Sequence, residues 1–200
     1  MDKYDFGRYT GSEEGQRLLG LLTRDDIYAR LLLDADEVCD IVPEAREMIG
    51  FDQRNPHHPY DVWVHTAHCV ASSPPRPLLR LALLMHDIGK PEAFYMTEDE
   101  VGHFNRHDAK GEKITRERLD KIGFGEEAIE EVAFLVLNHD KGIPETEWKR
   151  WLDDFGEDRF RSLLDVKEAD ARSHDDKYKK IQLARVAELR RHLDELIDKS

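Results

Sequence analysis

The chain has 200 residues, with 30 Lys plus Arg against 43 Asp plus Glu, a formal net charge of −13, 40% hydrophobic residues and 36% charged ones. That length suffices for one domain with a real core, and the composition excludes a low-complexity or disordered chain. No apolar run approaches the roughly eighteen residues of a membrane span, and the acidic balance argues against broad binding to an extended nucleic-acid backbone.

From the N-terminus, residues 13–49 predict two or three short helices, broken near Thr23-Arg24-Asp25 and at Pro43, with Leu18, Leu19, Leu21 and Leu22 as their apolar stripe. Met1-Asp2-Lys3-Tyr4-Asp5 is no signal peptide, and the two cysteines, Cys39 and Cys69, stand thirty residues apart with no zinc-thiolate spacing. A cytoplasmic location is the expectation. Residues 51–59 form a loop rich in Asn, Pro and His that leads into a helix starting near Tyr60 and capped by Asp61. His65 and His68, three apart, lie on nearly one face of it.

A proline-stiffened turn at 72–77 precedes the apolar run 77–85, an almost wholly buried helix that delivers His86 and Asp87 at its end, where Gly89 and Pro91 stop it. The pattern at 94–104 is short and turn-like and predicts a small β-hairpin. Helices are expected at 106–122, 126–139, 145–155, 157–173 and 176–198, with the loop 138–144 at the mouth of a site. The expected fold class is all-α, a helical bundle carrying that hairpin, divided into an N-terminal helical extension at 1–50 and a main domain at 51–200.

His86-Asp87 is the chemically pointed dipeptide. An imidazole and a carboxylate from one buried segment offer nitrogen and oxygen donors suited to a divalent first-row ion. An ionised Asp87 in an apolar setting needs a compensating cation. The plainer alternative is a helix-terminal His whose Asp neighbour caps another element. His65, His107, His139 and Asp170 each sit on a further helix, and Asp170 lies among Leu163, Leu164, Val166 and Ala169, where an inward charge requires a reason. His68 reads as a core histidine, and His57 and His58 as an exposed loop pair next to the site. His103 and Arg106 flank His107 within reach of a phosphate, and Glu92 and Asp108 read as helix-start acids or as carboxylates that orient ligands. Lys177, Lys179, Lys180 and Arg185 read as a solvated helix face, and Trp63, Trp148 and Trp151 as core.

The strings "MIGFDQRNPHHPYDVWVHTAHCVA", "LRLALLMHDIGKPEAF", "GHFNRHDAKG" and "LLDVKEADARSH" resemble the HD-superfamily phosphohydrolase region of bacterial CCA-adding tRNA nucleotidyltransferases. The resemblance implies an HD-domain fold with His65, His86, Asp87 and Asp170 as metal ligands. It also implies His107 and His139 as holders of a second ion, and Lys90 as the cation that meets substrate phosphate. The sequence departs from that pattern at Asn138, where relatives often carry another histidine. The residues before Met48 hold no Gly-Ser segment with paired carboxylates on a strand, so nucleotide addition to tRNA is not expected of this chain.

The chemistry that follows is hydrolysis of phosphomonoesters or phosphodiesters of nucleotides, 2′,3′-cyclic nucleotides included, by metal-activated water, with Asp87 and Lys90 as the catalytic pair. Lys90, Arg106 and His58 are the substrate-binding candidates. The cofactor is one divalent ion, or two, drawn from Mn, Ni, Co, Fe, Zn or Mg. No nucleophilic Ser or Cys set is apparent, so direct attack by water is preferred. The expected partner is a small phosphoester or nucleotide, with guanosine alarmones and dinucleoside polyphosphates as further substrates for the same ligands. The competing class is a non-catalytic, metal-anchored module that binds RNA or protein, which would have no use for Lys90.

Overall fold

The structure is a computed structural model that describes residues 4–198. Helix α1 (Glu13–Leu22) starts at Ser12, whose hydroxyl accepts from the Gly15 amide, and buries Leu18, Leu19, Leu21 and Leu22. Short helices α2 (Ile27–Leu33) and α3 (Ala35–Cys39) and a 3₁₀ turn (Pro43–Met48) follow. The breaks fall where Thr23-Arg24-Asp25 and Pro43 place them.

Helix α4 (Val62–Ser72) is capped by Asp61, which accepts from the Val64 amide. Helix α5 (Pro77–Met85) is the centre of the molecule: Leu79, Leu81, Ala82, Leu83, Leu84 and Met85 are all buried, and it packs against α1, α4, α8 (Glu126–Asn138) and α10 (Glu157–Arg172). Each fully buried Leu contributes about 1.5–3 kcal/mol of hydrophobic stabilisation. One charge lies inside this helix. Arg80 is buried, and its guanidinium donates to the carbonyls of Leu22 (2.8 Å), Arg24 (3.0 Å) and Ser73 (3.0 Å), which satisfies the C-terminal end of α1.

The first helices are knitted into this core. Leu18, Leu22, Leu31 and Val38 belong to the same buried cluster as Leu81, Leu84, Val132 and Leu163. The Trp63 indole donates to the Leu31 carbonyl at 2.8 Å, and Thr10 pairs with Phe124 as an isolated bridge.

The HD turn after α5 leads into the single-turn helix α6 (Lys90–Ala93). The expected hairpin is present but minimal, with β1 (Tyr95–Met96) antiparallel to β2 (Gly102–His103) and Tyr95 opposite His103. It docks on the 51–59 loop, where the Gly102 amide donates to the Arg54 carbonyl at 2.7 Å. Helices α7 (His107–Lys121), α8, α9 (Trp148–Phe155), α10 and α11 (Asp176–Ile197) complete the bundle. Helix α9 starts three residues later than the sequence predicts, because the Glu147 amide closes a turn on the Pro144 carbonyl first. A second small core of Trp148, Phe160, Leu164, Val186, Leu189 and Leu193 holds α9, α10 and α11 together. No helix among the described residues is long and apolar enough to cross a membrane.

Candidate metal centre

Five elements meet at the end of α5. His65 comes from α4, His86 and Asp87 follow α5, His107 opens α7, His139 follows α8, and Asp170 lies in the last turn of α10. One local device recurs in three of these histidines. The Nδ1–H of His86 donates to the Leu83 carbonyl (2.6 Å), that of His107 to Phe104 (2.9 Å) and that of His139 to Val136 (2.7 Å). Since a carbonyl can only accept, each bond fixes the tautomer and leaves Nε2 of the neutral ring as a bare lone pair aimed inward.

The donor atoms fall into two groups joined by Asp87. On one side, His65 Nε2 is 3.3 Å from His86 Nε2 and 3.0 Å from Asp170 Oδ1, and Asp87 Oδ2 is 3.4 Å from His65 and 3.2 Å from His86. On the other side, His107 Nε2 and His139 Nε2 are 3.1 Å apart, and Asp87 Oδ1 is 3.5 and 3.6 Å from them. Asp170 Oδ1 also lies 3.9 Å from His86 Nε2.

These separations suit a bound cation. Two donors that share one ion at about 2.0–2.3 Å stand about 3.0–3.6 Å apart. The facing Nε2 atoms of His107 and His139 have no hydrogen left to share between neutral rings, and the fully buried Asp87 Oδ2 lies between the Lys90 ammonium at 2.8 Å and the Nε2 atoms of His86 and His65. The donors of these six residues are nitrogen and oxygen, which suits a divalent transition ion. Buried His/Asp clusters of this kind are what divalent metal binding by such a fold calls for.

Without an ion the charges lean on one another. Burial works against charge on Asp87, yet His86 and Lys90 outweigh it and hold the carboxyl well below its usual range. Asp170 is likewise held low, against burial, by His174 and His65. Burial also opposes a charged His65, and Cys69 and Asp170 overcome it to raise the imidazole to about 9, while Asp87 lifts His86 well above 6.5. His107 is pushed down by burial and by His139.

Lys90 is 4% exposed, and its ammonium lies 2.8 Å from Asp87 Oδ2, donates to Gln53 Oε1 at 2.8 Å and sits over the Phe104 ring. Gln53 was not singled out by the sequence. It is buried and anchored through its own amide to the Tyr60 carbonyl at 3.0 Å. His58 differs from the exposed pair expected at 57–58. Its ring is half-buried, 4.4 Å from that of His174 and 5.6 Å from that of His65, and burial and Lys90 push it down to about 2, so that it is neutral. His57 is exposed and pairs with Asp175 at 2.9 Å.

His174, to which the sequence assigns no role, lies 3.2 Å from Asp170 Oδ1. Its position one turn after Asp170 was the available signal. Arg106 is exposed at the start of α7 in a left-handed conformation (φ 62°) and does not line the cavity, whereas Asn105 and His103 do. His68 faces away, hydrogen-bonded to the Tyr28 hydroxyl at 3.0 Å and stacked on Tyr60. Asn138 also turns away, donating to the Phe134 carbonyl (2.7 Å) and accepting from Lys141 (3.1 Å), while the adjacent His139 points inward. Glu92 and Asp108 occupy the first turns of α6 and α7.

A cavity of about 220 Å³ opens over Asp87, Lys90, His107 and His174. It adjoins a larger one of about 510 Å³ between the 139–145 loop and α11, and His139, Asp140, Asp170 and Tyr178 line both.

The fold and site define a helical protein built around a buried histidine and aspartate centre of metal-binding type. The comparisons agree: residues 57–175 match the HD domain, and the chain belongs to that family. It is 36% identical over 140 residues to the CC-adding tRNA nucleotidyltransferase of Thermus thermophilus, covering 66% of this chain and 32% of that protein. It is 33% identical over 121 residues to the A-adding tRNA nucleotidyltransferase of Deinococcus radiodurans, covering 57% of this chain and 28% of that protein. The chain thus matches about a third of the length of these relatives.

Proposed function

We propose that the chain is a metal-dependent phosphohydrolase acting on nucleotide phosphomonoesters or phosphodiesters, 2′,3′-cyclic nucleotides among them. The observation that carries this reading is Asp87, whose two oxygens face two separate sets of imidazoles beside a buried lysine. His65, His86, Asp87 and Asp170 would hold one divalent ion, and His107 and His139, with the second oxygen of Asp87, another. Such ions polarise a phosphoryl oxygen and lower the pKa of water from 15.7 towards about 7.

The chain's own residues do the rest. Lys90, pinned by Gln53, presents a fixed positive charge to the oxygens that gain charge as the phosphoester bond breaks. His58, held neutral, adds a polar contact at the rim of the smaller cavity without repelling Lys90. The larger cavity offers room for a nucleoside next to the reacting phosphate. In this reading residues 51–200 form the catalytic part and residues 1–50 an extension. The relatives are named for their action on tRNA, so an RNA end remains within the substrate class, although a charge of −13 disfavours contact with a long backbone.

The test is hydrolysis of p-nitrophenyl phosphate, bis-p-nitrophenyl phosphate, 2′,3′-cyclic AMP and a wider nucleotide panel after loading with Mn, Ni, Co, Fe, Zn or Mg. Wild type should turn over at least one, and Asp87→Ala none. A metal-loaded wild type that hydrolyses none of them leaves the non-catalytic, metal-anchored module as the better reading.

A further inference from the structure

Cys69 lies one helical turn after His65 on α4, so both side chains leave the same face. Its sulfur is 3.5 Å from His65 Nε2, and the donor atoms of His65, Cys69, His86 and Asp170 all lie within 4.8 Å of one another. Two cysteines thirty residues apart form no thiolate pattern in the sequence. The fold supplies the missing partners from α5 and α10.

We propose that Cys69 is a thiolate ligand of the ion held by His65, His86, Asp87 and Asp170, which makes the centre a mixed sulfur, nitrogen and oxygen site selective for a thiophilic transition ion over magnesium. The proposal rests on the metal reading of the site given above. Three observations support it. The 3.5 Å separation from His65 is one that sulfur and nitrogen donors to a shared ion span, with bonds of about 2.3 and 2.0–2.1 Å. Sγ shares one donor cluster with His65, His86 and Asp170, and the Nδ1–H of His86 is committed to Leu83, which leaves its Nε2 for an ion. Burial points the same way, since Cys69 is 0% exposed and a thiolate out of water needs a cation beside it.

Ser173 completes the arrangement. Its hydroxyl oxygen is 3.4 Å from the Cys69 sulfur. At that distance the Ser173 hydroxyl can donate to the thiolate once the sulfur is bound, an outer partner that holds the ligand in place. Binding forms one sulfur–metal bond and releases to solvent the proton shared by the Cys69–His65 pair, with no change of oxidation state. The other cysteine, Cys39, is equally buried, but it lies on α3 and belongs to none of the donor clusters among the described residues.

The experiment is cobalt(II) loading of the chelator-stripped full chain, read by absorption. Wild type should show a near-ultraviolet sulfur-to-cobalt charge-transfer band that Cys69→Ala and Cys69→Ser abolish and Cys39→Ala retains. Circular dichroism melting checks that each variant is folded, and the serine variant, close in size, stands in should the alanine variant fail to fold. In competition, the preference for zinc over manganese should drop at least about 10-fold in Cys69→Ser, the scale of disturbing even an outer partner of a ligand. Stoichiometric cobalt binding without the band, or a band that survives in both Cys69 variants, overturns thiolate ligation and leaves the metal reading intact. A wild-type chain that retains no cobalt overturns both.

Discussion

His107 Nε2 and His139 Nε2 face each other at 3.1 Å, and the remaining ring hydrogen of each is bonded to a backbone carbonyl. Two neutral rings so fixed offer lone pairs to the same space and to Asp87 Oδ1. The expected consequence is a second metal equivalent. Elemental analysis should find two ions per wild-type chain and one in His107→Ala. A wild-type stoichiometry of one that the substitution leaves unchanged removes the second site.

Lys90 and Asp87 should separate binding from turnover. Asp87→Ala removes a donor to both groups, and metal content should collapse together with activity. Lys90→Ala should keep its metal while turnover falls by about 10² or more, the scale of losing one preorganised charge. Gln53→Ala, which frees the ammonium from its 2.8 Å anchor, should lower turnover less than loss of the lysine itself. Equal metal loss in Lys90→Ala and Asp87→Ala would show that Lys90 serves the cluster's charge balance instead.

Metal uptake should release protons and strengthen with rising pH. In the metal-free chain His65 titrates at about 9 and His86 well above 6.5, so both carry protons at neutral pH that an ion must displace. Calorimetry in buffers of differing ionisation enthalpy counts them. For the metal-free fold the sign is opposite. A base whose pKa is raised from 6.5 to about 9 stabilises fully below 6.5, and the contribution disappears as pH climbs through 9. Asp87 and Asp170, depressed below 3.8, contribute above that value and lose their contribution on acidification through their folded pKa values. Cys69, held down to about 6 by His65 against burial, works in the opposite sense between pH 6.5 and 9, so the clear expectation is on the acid side: melting temperature of the stripped chain should fall on acidification below about pH 3.8, and a flat profile there would contradict this account.

Gly89 should not tolerate a side chain. A Cβ there would collide with the His107 carbonyl and lie 2.6 Å from the Gly111 amide nitrogen, both backbone atoms of α7 that cannot swing aside. Gly89→Ala should destabilise the fold by about 1–3 kcal/mol or more, visible in denaturant unfolding, and should weaken metal binding because Asp87 and His107 move apart. A melting curve equal to wild type would mean that the HD turn and α7 are looser than drawn.

Periodicity and caps made much of the architecture legible in advance. The stripe of Leu18 to Leu22, the Asp61 cap, the apolar run ending at His86 and the turn-rich stretch that holds the two-residue strands are all local properties: each depends on side chains a few positions apart and on the φ/ψ limits of Gly and Pro. The sequence expects Gly89 and Pro91 to stop the apolar helix, but α5 already ends at Met85, Gly89 caps the start of α6 and Pro91 lies inside it; the close approach of α7 that demands a glycine at 89 is a contact between residues distant in sequence, and no local pattern encodes it.

The sequence by itself determined that this chain is helical, that it carries the HD motif, and that a carboxylate at Asp87 would be buried with a lysine close behind it. Only the tertiary structure decided which of ten histidines share a space. His68 and Asn138 turn away, His58 and His174 turn in, Arg106 stays outside, and Gln53 and Cys69 enter the cluster unannounced. The reason is geometric. The direction of a side chain at a helix end depends on which neighbouring carbonyl its ring can bond and which helix packs opposite, and those partners come from α4, α5, α7, α8 and α10, up to a hundred residues apart.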